Sequence, residues 1–354
     1  MAHGNMPMIW GLALVFLVPL AIALILTPIT ARLGLRLGIL DEPGGRRRHE
    51  GRVSRLGGLA LYAAFTTGLL LILLLPPHLL PARQDPKELA RLTGLLLGTS
   101  FVFLFGLLDD RFQFSAYAQW AVQLAASLIA IAFLIHIKHV NNPFTDQFFF
   151  GPDGFPWPIV WGLTILWIMG MMNTVNFLDG LDGLAAGVGA ILCAVLAVHM
   201  VRQGQGSVAL LPVAMLGGGL GFLPYNFHPA KVFMGSSGAY SLGFALGALG
   251  IIGGARVATV LLVMGVPILD VAWQIIRRRR LGHPIRLGDR GHLHFRLYDL
   301  GYSQRTVVLS YYGFCALCGL LAFLLPSRLY KLLTLLLMGL AVAPFLLWLS
   351  PRGT

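Results

Sequence analysis

The sequence predicts an all-α membrane protein with about eleven transmembrane helices, and three observations support this. Hydrophobic residues make up 57% of its 354 residues and charged residues only 11%, which is unlike an ordinary soluble domain. Apolar runs of about 20 residues, the length that a helix needs to cross a bilayer, recur along the whole chain. The basic residues are concentrated between particular runs, as in the cytoplasmic loops of membrane proteins.

The predicted spans follow these apolar runs from one end of the chain to the other. The first run is too long for the apolar part of a signal peptide, so we expect it to remain as a span. Pro267 predicts a bend in the ninth span, because proline removes a helical hydrogen bond. The three cysteines lie within apolar runs, which indicates buried thiols and no disulfide. The spans cover residues 8–29, 57–75, 92–108, 117–137, 157–175, 184–201, 207–224, 239–254, 256–276, 306–325 and 329–349.

The distribution of arginine predicts the orientation of these spans. Arginines are dense in residues 30–56 and 277–305, so we expect both segments and the C-terminus in the cytoplasm, with the N-terminus outside. The net charge of +12 therefore reflects membrane topology and does not indicate nucleic-acid binding. The same orientation places the polar motifs on the cytoplasmic face, which predicts a single membrane domain over residues 1–354 with its active site there. The segments that carry these motifs are 30–56, 109–116, 174–183, 225–238 and 277–305.

Four polar side chains at intervals of three residues close the fifth span: Asn173, Asn176, Asp179 and Asp182. Residues three apart share one face of a helix, so two amides lead to two carboxylates along a single stripe. Carboxylates held close together need an offsetting charge, and a hard cation with oxygen ligands is the natural partner. The alternative is an Asn/Asp-rich helix cap and turn without any ligand.

A second pair of carboxylates, Asp109 and Asp110, lies at the end of the third span. Adjacent side chains on a helix do not share a face, so one could bind a metal while the other takes a different partner. The alternative is an N-cap pair for the next helix. Asp270, near the inner end of the ninth span, is a carboxylate inside an apolar run, and such residues are usually functional or paired.

Two basic segments carry the remaining candidates. The first loop combines Asp41 and His49 with a glycine-rich run of arginines, including Arg47 and Arg55, that could hold phosphate through forked contacts. The alternative is a charge cluster that rests on anionic lipid. In the late basic segment, His292 and His294 are two residues apart, which disfavours a two-histidine metal site and suits phosphate or nucleotide contacts better.

In this order, the motifs resemble those of the polyprenyl-phosphate N-acetylhexosamine-1-phosphate transferases, membrane enzymes that start bacterial cell-surface glycans on a lipid carrier. The resemblance extends from Asp41 to about Ser303. Its motifs are Asp41-x-Pro43 through His49 to Arg55-x-Gly57-Gly58, Gly106-Leu-Leu-Asp109-Asp110-Arg111, Asn173-x-x-Asn176-Phe-x-Asp179-Gly-x-Asp182-Gly, Phe227-x-Pro229-Ala230 to Phe233-Met234-Gly235, and Asp289-Arg290-x-His292-Leu-His294.

The resemblance implies a reaction in which undecaprenyl phosphate attacks a UDP-N-acetylhexosamine and releases UMP. It implies Mg²⁺ as cofactor, with Mn²⁺ as the alternative ion, and the metal ligands Asp109, Asp110, Asp179 and Asp182. The catalytic residues would be these four carboxylates and His292. The substrate-binding residues would be Asp41, Arg47, His49, Arg55, Asn173, Asn176, Asn226, Arg290 and His294. Arg296 and the basic segment before His292 favour UDP-N-acetylglucosamine as the donor. The family also implies the bacterial cytoplasmic membrane and a homodimer.

The chain departs from the family pattern at Ser236, where the family normally has an aspartate that binds magnesium. A neutral hydroxyl should bind a hard cation less strongly than a carboxylate. Tyr117 and Phe295 are smaller departures, at positions where many members have lysine or a third histidine. Ser236 supports a different hypothesis, a catalytically impaired homologue that binds prenyl phosphate or nucleotide-sugar as a scaffold or regulator. A secondary transporter is disfavoured, because the charges other than Asp270 lie in loops and the two halves show no repeat.

Overall fold

The computed structural model describes residues 6–41, 51–145, 147–254, 257–282, 291–325 and 327–348. Within these ranges the chain is almost entirely helical, with one short 3-10 turn at Pro77–Leu79 and one hairpin, in which β1 (Leu40–Asp41) pairs antiparallel with β2 (Val53–Ser54). The helices are α1 Met6–Leu37, α2 Gly57–Leu74, α3 Glu88–Phe112, α4 Ala116–Ala132, α5 Trp157–Leu178, α6 Leu184–Arg202, α7 Gly206–Asn226, α8 Gly235–Ile252, α9 Val257–Val263, α10 Gly265–Arg280, α11 Leu293–Asp299, α12 Gln304–Leu324 and α13 Arg328–Trp348.

The prediction of an all-α polytopic membrane protein is confirmed. Each predicted span coincides with a helix, except that the ninth falls on two, α9 and α10, which meet at an angle of 81°. Among the described residues, eight helices are long and apolar enough to cross a membrane, or nine if the bent pair counts as one span. The cysteines at 193, 315 and 318 are free and buried, as predicted.

The bend in the ninth span lies three residues before the predicted position. The two helices are separated at Met264, and Pro267 lies in the first turn of α10. The N–H groups in the first turn of a helix have no acceptor within the helix, so proline removes no hydrogen bond there. Pro267 is therefore tolerated without a kink of its own.

Helix α8 is the centre of the bundle, and all of its residues are buried. It packs mainly against α3 and α5. Small residues permit this close packing: a Cβ on Gly98 of α3 would collide with the ring of Phe244, and one on Gly243 would lie 2.6 Å from the Cα of Met172 on α5. Close approach of backbones is how helices associate in lipid, where burial of apolar surface gives no advantage.

Backbone hydrogen bonds fix the start of α8 against the first loop. The N–H of Phe233 donates to Ser54 O at 2.9 Å, and the N–H groups of Gly57 and Gly58 donate to Phe233 O and Met234 O at 3.0 and 2.8 Å. Strand β2, the start of α2 and the residues before α8 therefore form one layer at one end of the bundle. Arg55 and Asp110, two of the predicted site residues, lie at this layer.

We expect Gly58→Ala to destabilise the protein, because the new methyl group would overlap the backbone N of Gly238 and lie 2.6 Å from Ser237 Oγ. Overpacking of this kind costs about 1–3 kcal/mol, which should lower the melting temperature of the detergent-solubilised protein by several degrees. Gly162→Ala on α5 is the matched control, because its methyl group would meet open space. Equal melting temperatures for the two variants would contradict this packing.

Candidate active site

Asp110 caps the buried N-terminus of α8. Its Oδ1 accepts a hydrogen bond from the N–H of Ser236 at 2.7 Å, and its Oδ2 accepts from the N–H and Oγ of Ser237 at 3.0 and 2.7 Å. The first N–H groups of a helix have no partner within the helix, and they carry the positive end of its dipole. Asp110 therefore joins α3 to α8 as well as contributing charge to the site.

Arg55 links the first loop to this carboxylate. Its guanidinium lies 3.4 Å from Asp110 Oδ1 and 3.9 Å from Asp41 Oδ1. Both aspartates are buried, so the arginine offsets charge that burial would otherwise make costly. Two of the predicted substrate-binding residues, Asp41 and Arg55, thus contact each other and a predicted metal ligand.

Asp109 points to a different place from Asp110, as expected for adjacent helical residues. Its Oδ1 accepts hydrogen bonds from the N–H of Phe114 at 2.9 Å and from Gln119 Nε2 at 3.2 Å. These bonds stabilise the turn between α3 and α4. Asp109 is buried. The structure therefore shows a structural use for the first of the paired carboxylates.

Asp179 ends α5 and has no hydrogen-bond donor for its carboxylate among the described residues. It is half-buried. Burial raises its pKa well above the usual range, and the nearby negative charges of Asp110 and Asp182 raise the pKa further, while Arg55 opposes them. Asp179 thus lies near other carboxylates, and Arg55 offsets only part of their combined negative charge. This is a favourable position for a cation.

Asp182 is held by the loop between α7 and α8. Its Oδ2 lies 2.8 Å from His228 Nδ1 and accepts from the N–H of Ala230 at 3.1 Å. The carbonyl oxygen of His228 accepts from Arg305 Nε at 3.2 Å, which ties the loop to α12. Sequence reasoning missed His228. The available signal was its place beside Pro229 in a loop already identified by its polar residues.

Two of the three asparagines predicted to bind substrate, Asn173 and Asn226, form hydrogen bonds within the protein. Asn173 Nδ2 donates to Gln123 Oε1 at 2.6 Å and to Met169 O at 2.8 Å. Asn226 Nδ2 donates to Val232 O at 3.0 Å, while its Oδ1 is buried without a hydrogen-bond partner in the described part of the chain. Asn176 is half-buried near the end of α5. Gln123 of α4 was also missed, because it stands alone in an apolar run.

The two histidines lie beside the turn that follows α5. The Nδ1 of His292 lies 2.9 Å from Asp270 Oδ2, and its ring stacks on Phe177 with centroids 4.9 Å apart. The rings of His292 and His294 are nearly parallel, 5.7 Å apart. A Cβ on Gly180 would lie 2.7 Å from His294 Nε2, so only glycine leaves room there. Asp270 was expected to be functional or paired, and the structure shows it paired with His292.

The structure thus brings together the described parts of the predicted active-site segments at one end of the bundle. Arg47, His49 and Arg290 lie outside the described residues. Contacts across the site join the first loop to α3 and α8, the α5–α6 turn to the loop before α8, and α11 to α5. The arrangement offers acidic groups for a cation and basic groups around them for phosphates.

Comparisons with known proteins place the chain among named transferases. Residues 92–254 match the family model described as Glycosyl transferase family 4. The chain is 33% identical over 304 residues to a Bacillus subtilis protein named a probable undecaprenyl-phosphate N-acetylglucosaminyl 1-phosphate transferase, covering 84% of this chain and 80% of the relative. It is 32% identical over 351 residues to the decaprenyl-phosphate N-acetylglucosaminephosphotransferase of Mycolicibacterium smegmatis, covering 90% and 82%. The undecaprenyl-phosphate alpha-N-acetylglucosaminyl 1-phosphate transferase of Escherichia coli K12 is 26% identical over 285 residues, covering 76% and 72%.

The chain belongs to the polyprenyl-phosphate N-acetylglucosamine-1-phosphate transferase family. The resemblance inferred from its motifs is confirmed.

The residues fit the magnesium ion that this transferase family implies. No group of three or more His, Cys, Asp or Glu residues within the described ranges would enclose a metal by itself. Magnesium does not require such a group, because it keeps several waters and usually binds one or two carboxylates together with substrate phosphates. Asp179 and Asp182 meet that need at the turn after α5, with the charge of Asp110 nearby.

Ser236, the departure from the family pattern, lies in the first turn of α8. It is buried, and its N–H is one of the donors to Asp110. A side chain at this position therefore lies next to Asp110, whose charge acts on Asp179. The contact with Asp110 is made by the backbone N–H and so does not involve the serine hydroxyl.

We expect Ser237→Ala to destabilise the protein through Asp110. The substitution removes a hydroxyl that donates to a buried carboxylate, and hydrogen bonds to charged groups contribute about 1.5–3 kcal/mol. Ser241→Ala is the control, because that hydroxyl donates to the neutral carbonyl of Ser237, a bond worth about 1 kcal/mol or less. Thermal unfolding in detergent measures both. A loss for Ser237→Ala no greater than that for Ser241→Ala would contradict the capping role of Asp110.

Proposed function

We propose that this chain transfers N-acetylglucosamine 1-phosphate from UDP-N-acetylglucosamine to undecaprenyl phosphate, releasing UMP and starting a cell-surface glycan. The observation that carries the proposal is its identity to transferases named for this activity along most of both chains. The carboxylates and histidines that meet at one end of the bundle support it, because a reaction among several anions needs a cation and positive side chains.

In the proposed reaction, an oxygen of the prenyl phosphate attacks the sugar-linked phosphorus and forms a new P–O bond. The bond from that phosphorus to the bridging oxygen breaks, and its electron pair leaves with UMP. A phosphate monoester has a second pKa of about 6, so the attacking group is mostly dianionic at neutral pH and needs no strong base. Binding and alignment of the two anions are therefore the main task of the site.

The side chains divide this task according to their contacts. Asp179 and Asp182 would hold Mg²⁺, with Mn²⁺ as the alternative, and the ion would neutralise phosphate charge when bound. Asp110 would keep α8 in place and add negative charge beside the metal. Arg55, already 12% exposed between two aspartates, is positioned to reach a phosphate at the rim of the site.

The proposal includes eleven spans, with the N-terminus outside and the active site facing the cytoplasm of a bacterium. The bacterial origin of the relatives supports the setting, and the contact of Arg55, from the arginine-rich first loop, with Asp110 supports the orientation. The donor and acceptor are supported by the names of the relatives alone. A homodimer is proposed only by similarity to the family.

UMP release by the purified protein tests the proposed function. With UDP-N-acetylglucosamine, undecaprenyl phosphate and Mg²⁺, we expect release in the unmodified chain, because Asp179 and Asp182 remain available to the metal. Ser236→Asp should lower the Mg²⁺ concentration required, since a carboxylate binds a hard cation more strongly than a hydroxyl does. Activity in Ser236→Asp alone would identify the unmodified chain as impaired, and silence in both would contradict the proposed reaction.

The charge of Asp179 predicts how magnesium affects stability. Because burial and neighbouring carboxylates raise its pKa, its ionisation destabilises the metal-free protein as pH rises from the usual aspartate range through the raised pKa. In EDTA at pH 7.5, we expect Asp179→Asn to melt at a higher temperature than the unmodified chain. Adding Mg²⁺ should stabilise the unmodified chain and leave Asp179→Asn little changed.

Asp153→Asn is the control for this comparison, because Asp153 is exposed in the loop before α5. It should keep both the melting temperature in EDTA and the response to Mg²⁺. If Asp179→Asn is less stable in EDTA than the unmodified chain, the negative charge of Asp179 is stabilised by a group that is not among the described residues.

A further inference from the structure

Asp270 makes two hydrogen bonds to the residues at the start of α11, and both of its oxygens are used. Its Oδ2 lies 2.9 Å from the Nδ1 of His292, and its Oδ1 accepts from the N–H of Leu293 at 2.9 Å. The side chains of Asp270 and His292 are each only 4% exposed. A carboxylate is an acceptor, so Nδ1 of this imidazole carries a proton.

The contact to Asp270 determines where the other ring nitrogen points. Nδ1 and Nε2 lie on opposite sides of the imidazole, so Nε2 faces away from α10. It is buried and has no hydrogen-bond partner among the described residues. A buried imidazole nitrogen without a partner is costly, which makes it a candidate for contact with a ligand.

The ring of His292 lies next to the turn that carries the proposed metal ligands. It stacks on Phe177, two residues before Asp179, at an interplanar angle of 28°. It also lies nearly parallel to the ring of His294, which packs against Gly180 in the same turn. The imidazole is therefore fixed in orientation by a carboxylate and in position by an aromatic ring, close to the expected place of the phosphates.

We propose that Asp270 is a positioning residue for the transfer reaction, which holds His292 through Nδ1 so that Nε2–H donates to a phosphate oxygen of the bound nucleotide-sugar. This inference rests on the proposed function. His292 touches the substrate and Asp270 acts through it. With Asp270 on one nitrogen and an anion on the other, the doubly protonated ring is the form that satisfies both contacts.

The chemistry balances without a net proton transfer. The prenyl phosphate dianion forms a bond to the sugar-linked phosphorus, and the electron pair of the broken P–O bond moves to the oxygen that leaves with UMP. Negative charge accumulates on that oxygen, where a hydrogen bond from His292 Nε2 is stronger in the transition state than in the ground state. The orientation imposed by Asp270 should therefore affect kcat more than KM.

Gln274 provides a matched control on the same helix. It lies one turn after Asp270 on α10, and its Nε2 donates to the carbonyl oxygen of Gly291, the residue before His292. It thus ties α10 to the same segment without contacting the imidazole. If Asp270 only anchors this segment, loss of the Gln274 bond should have a comparable effect on turnover.

The test compares UMP release by the full chain with that of Asp270→Asn, His292→Gln, the double variant and Gln274→Ala. Asparagine keeps the size of aspartate, but it has no charge, and its NH₂ group must face either Nδ1–H or the N–H of Leu293. We expect Asp270→Asn to lower kcat by about 10–100-fold with little change in KM, as for other residues that orient a functional histidine. His292→Gln should lower kcat by about 100-fold, as for loss of one transition-state hydrogen bond. The double variant should resemble His292→Gln, because the two residues act as a unit.

Two results would overturn the inference. The first is that the fold losses in kcat of Asp270→Asn and His292→Gln multiply in the double variant, as they would for residues that act independently. The second is a loss in Gln274→Ala as large as that in Asp270→Asn, which would reduce Asp270 to an anchor of the chain.

A second measurement separates failure of this inference from failure of the proposed function. If the unmodified chain releases no UMP, the proposed function fails. ¹⁵N NMR of histidine-labelled protein in nanodiscs then decides the role of Asp270, with His292→Gln used to assign the signal. A protonated Nδ1 on His292 that is lost or redistributed in Asp270→Asn would support the positioning contact. An unchanged pattern of protonation would exclude it.

Discussion

The structure depends on the acceptors that bind the free N–H groups at the N-terminus of its central helix. Helix α8 is buried along its whole length, so its first N–H groups cannot turn to water. Asp110, projecting from α3, supplies the acceptors and places a negative charge at the positive end of the helix dipole. Arg55 then offsets that charge and brings the first loop to the same point. The same contacts of Asp110 consequently pack the helices and assemble the active site.

The polar residues of the site form two groups, according to whether their side chains have hydrogen-bond partners within the described part of the protein. Asp109, Asp110 and Asn173 use their side chains to join helices or turns within the protein. Asp179 has no such donor among the described residues, and burial with neighbouring carboxylates disfavours its charge. The first group stabilises the structure of the site. Asp179, the second, carries a charge that a bound cation would offset. A run of acidic residues in a sequence therefore does not assign equal roles to its members.

The sequence predicted the helices well because membrane spans depend on the length of apolar runs, which is a local property. It predicted the position of the site from the charged and polar residues between them. The contacts within the site were not predictable in this way. Ser236 is 126 residues from Asp110, and His292 is 22 residues from Asp270 across a change of helix. Gln123 and His228 carried no periodic or charge signal, yet each contacts a predicted site residue.

The position of Ser236 follows from the same division. Its backbone N–H donates to Asp110 at the start of α8, and any residue except proline has such a donor, so this contact does not require a serine side chain. A carboxylate at this position would add a further negative charge next to Asp110, where the described part of the chain offers only Arg55 as a paired cation. Serine removes that repulsion and, with it, one oxygen anion for a metal. At the proposed magnesium site, binding should then depend more on the phosphates of the substrates, because the protein alone offers fewer charged ligands. Serine at this position would thus favour binding of the cation together with the nucleotide-sugar.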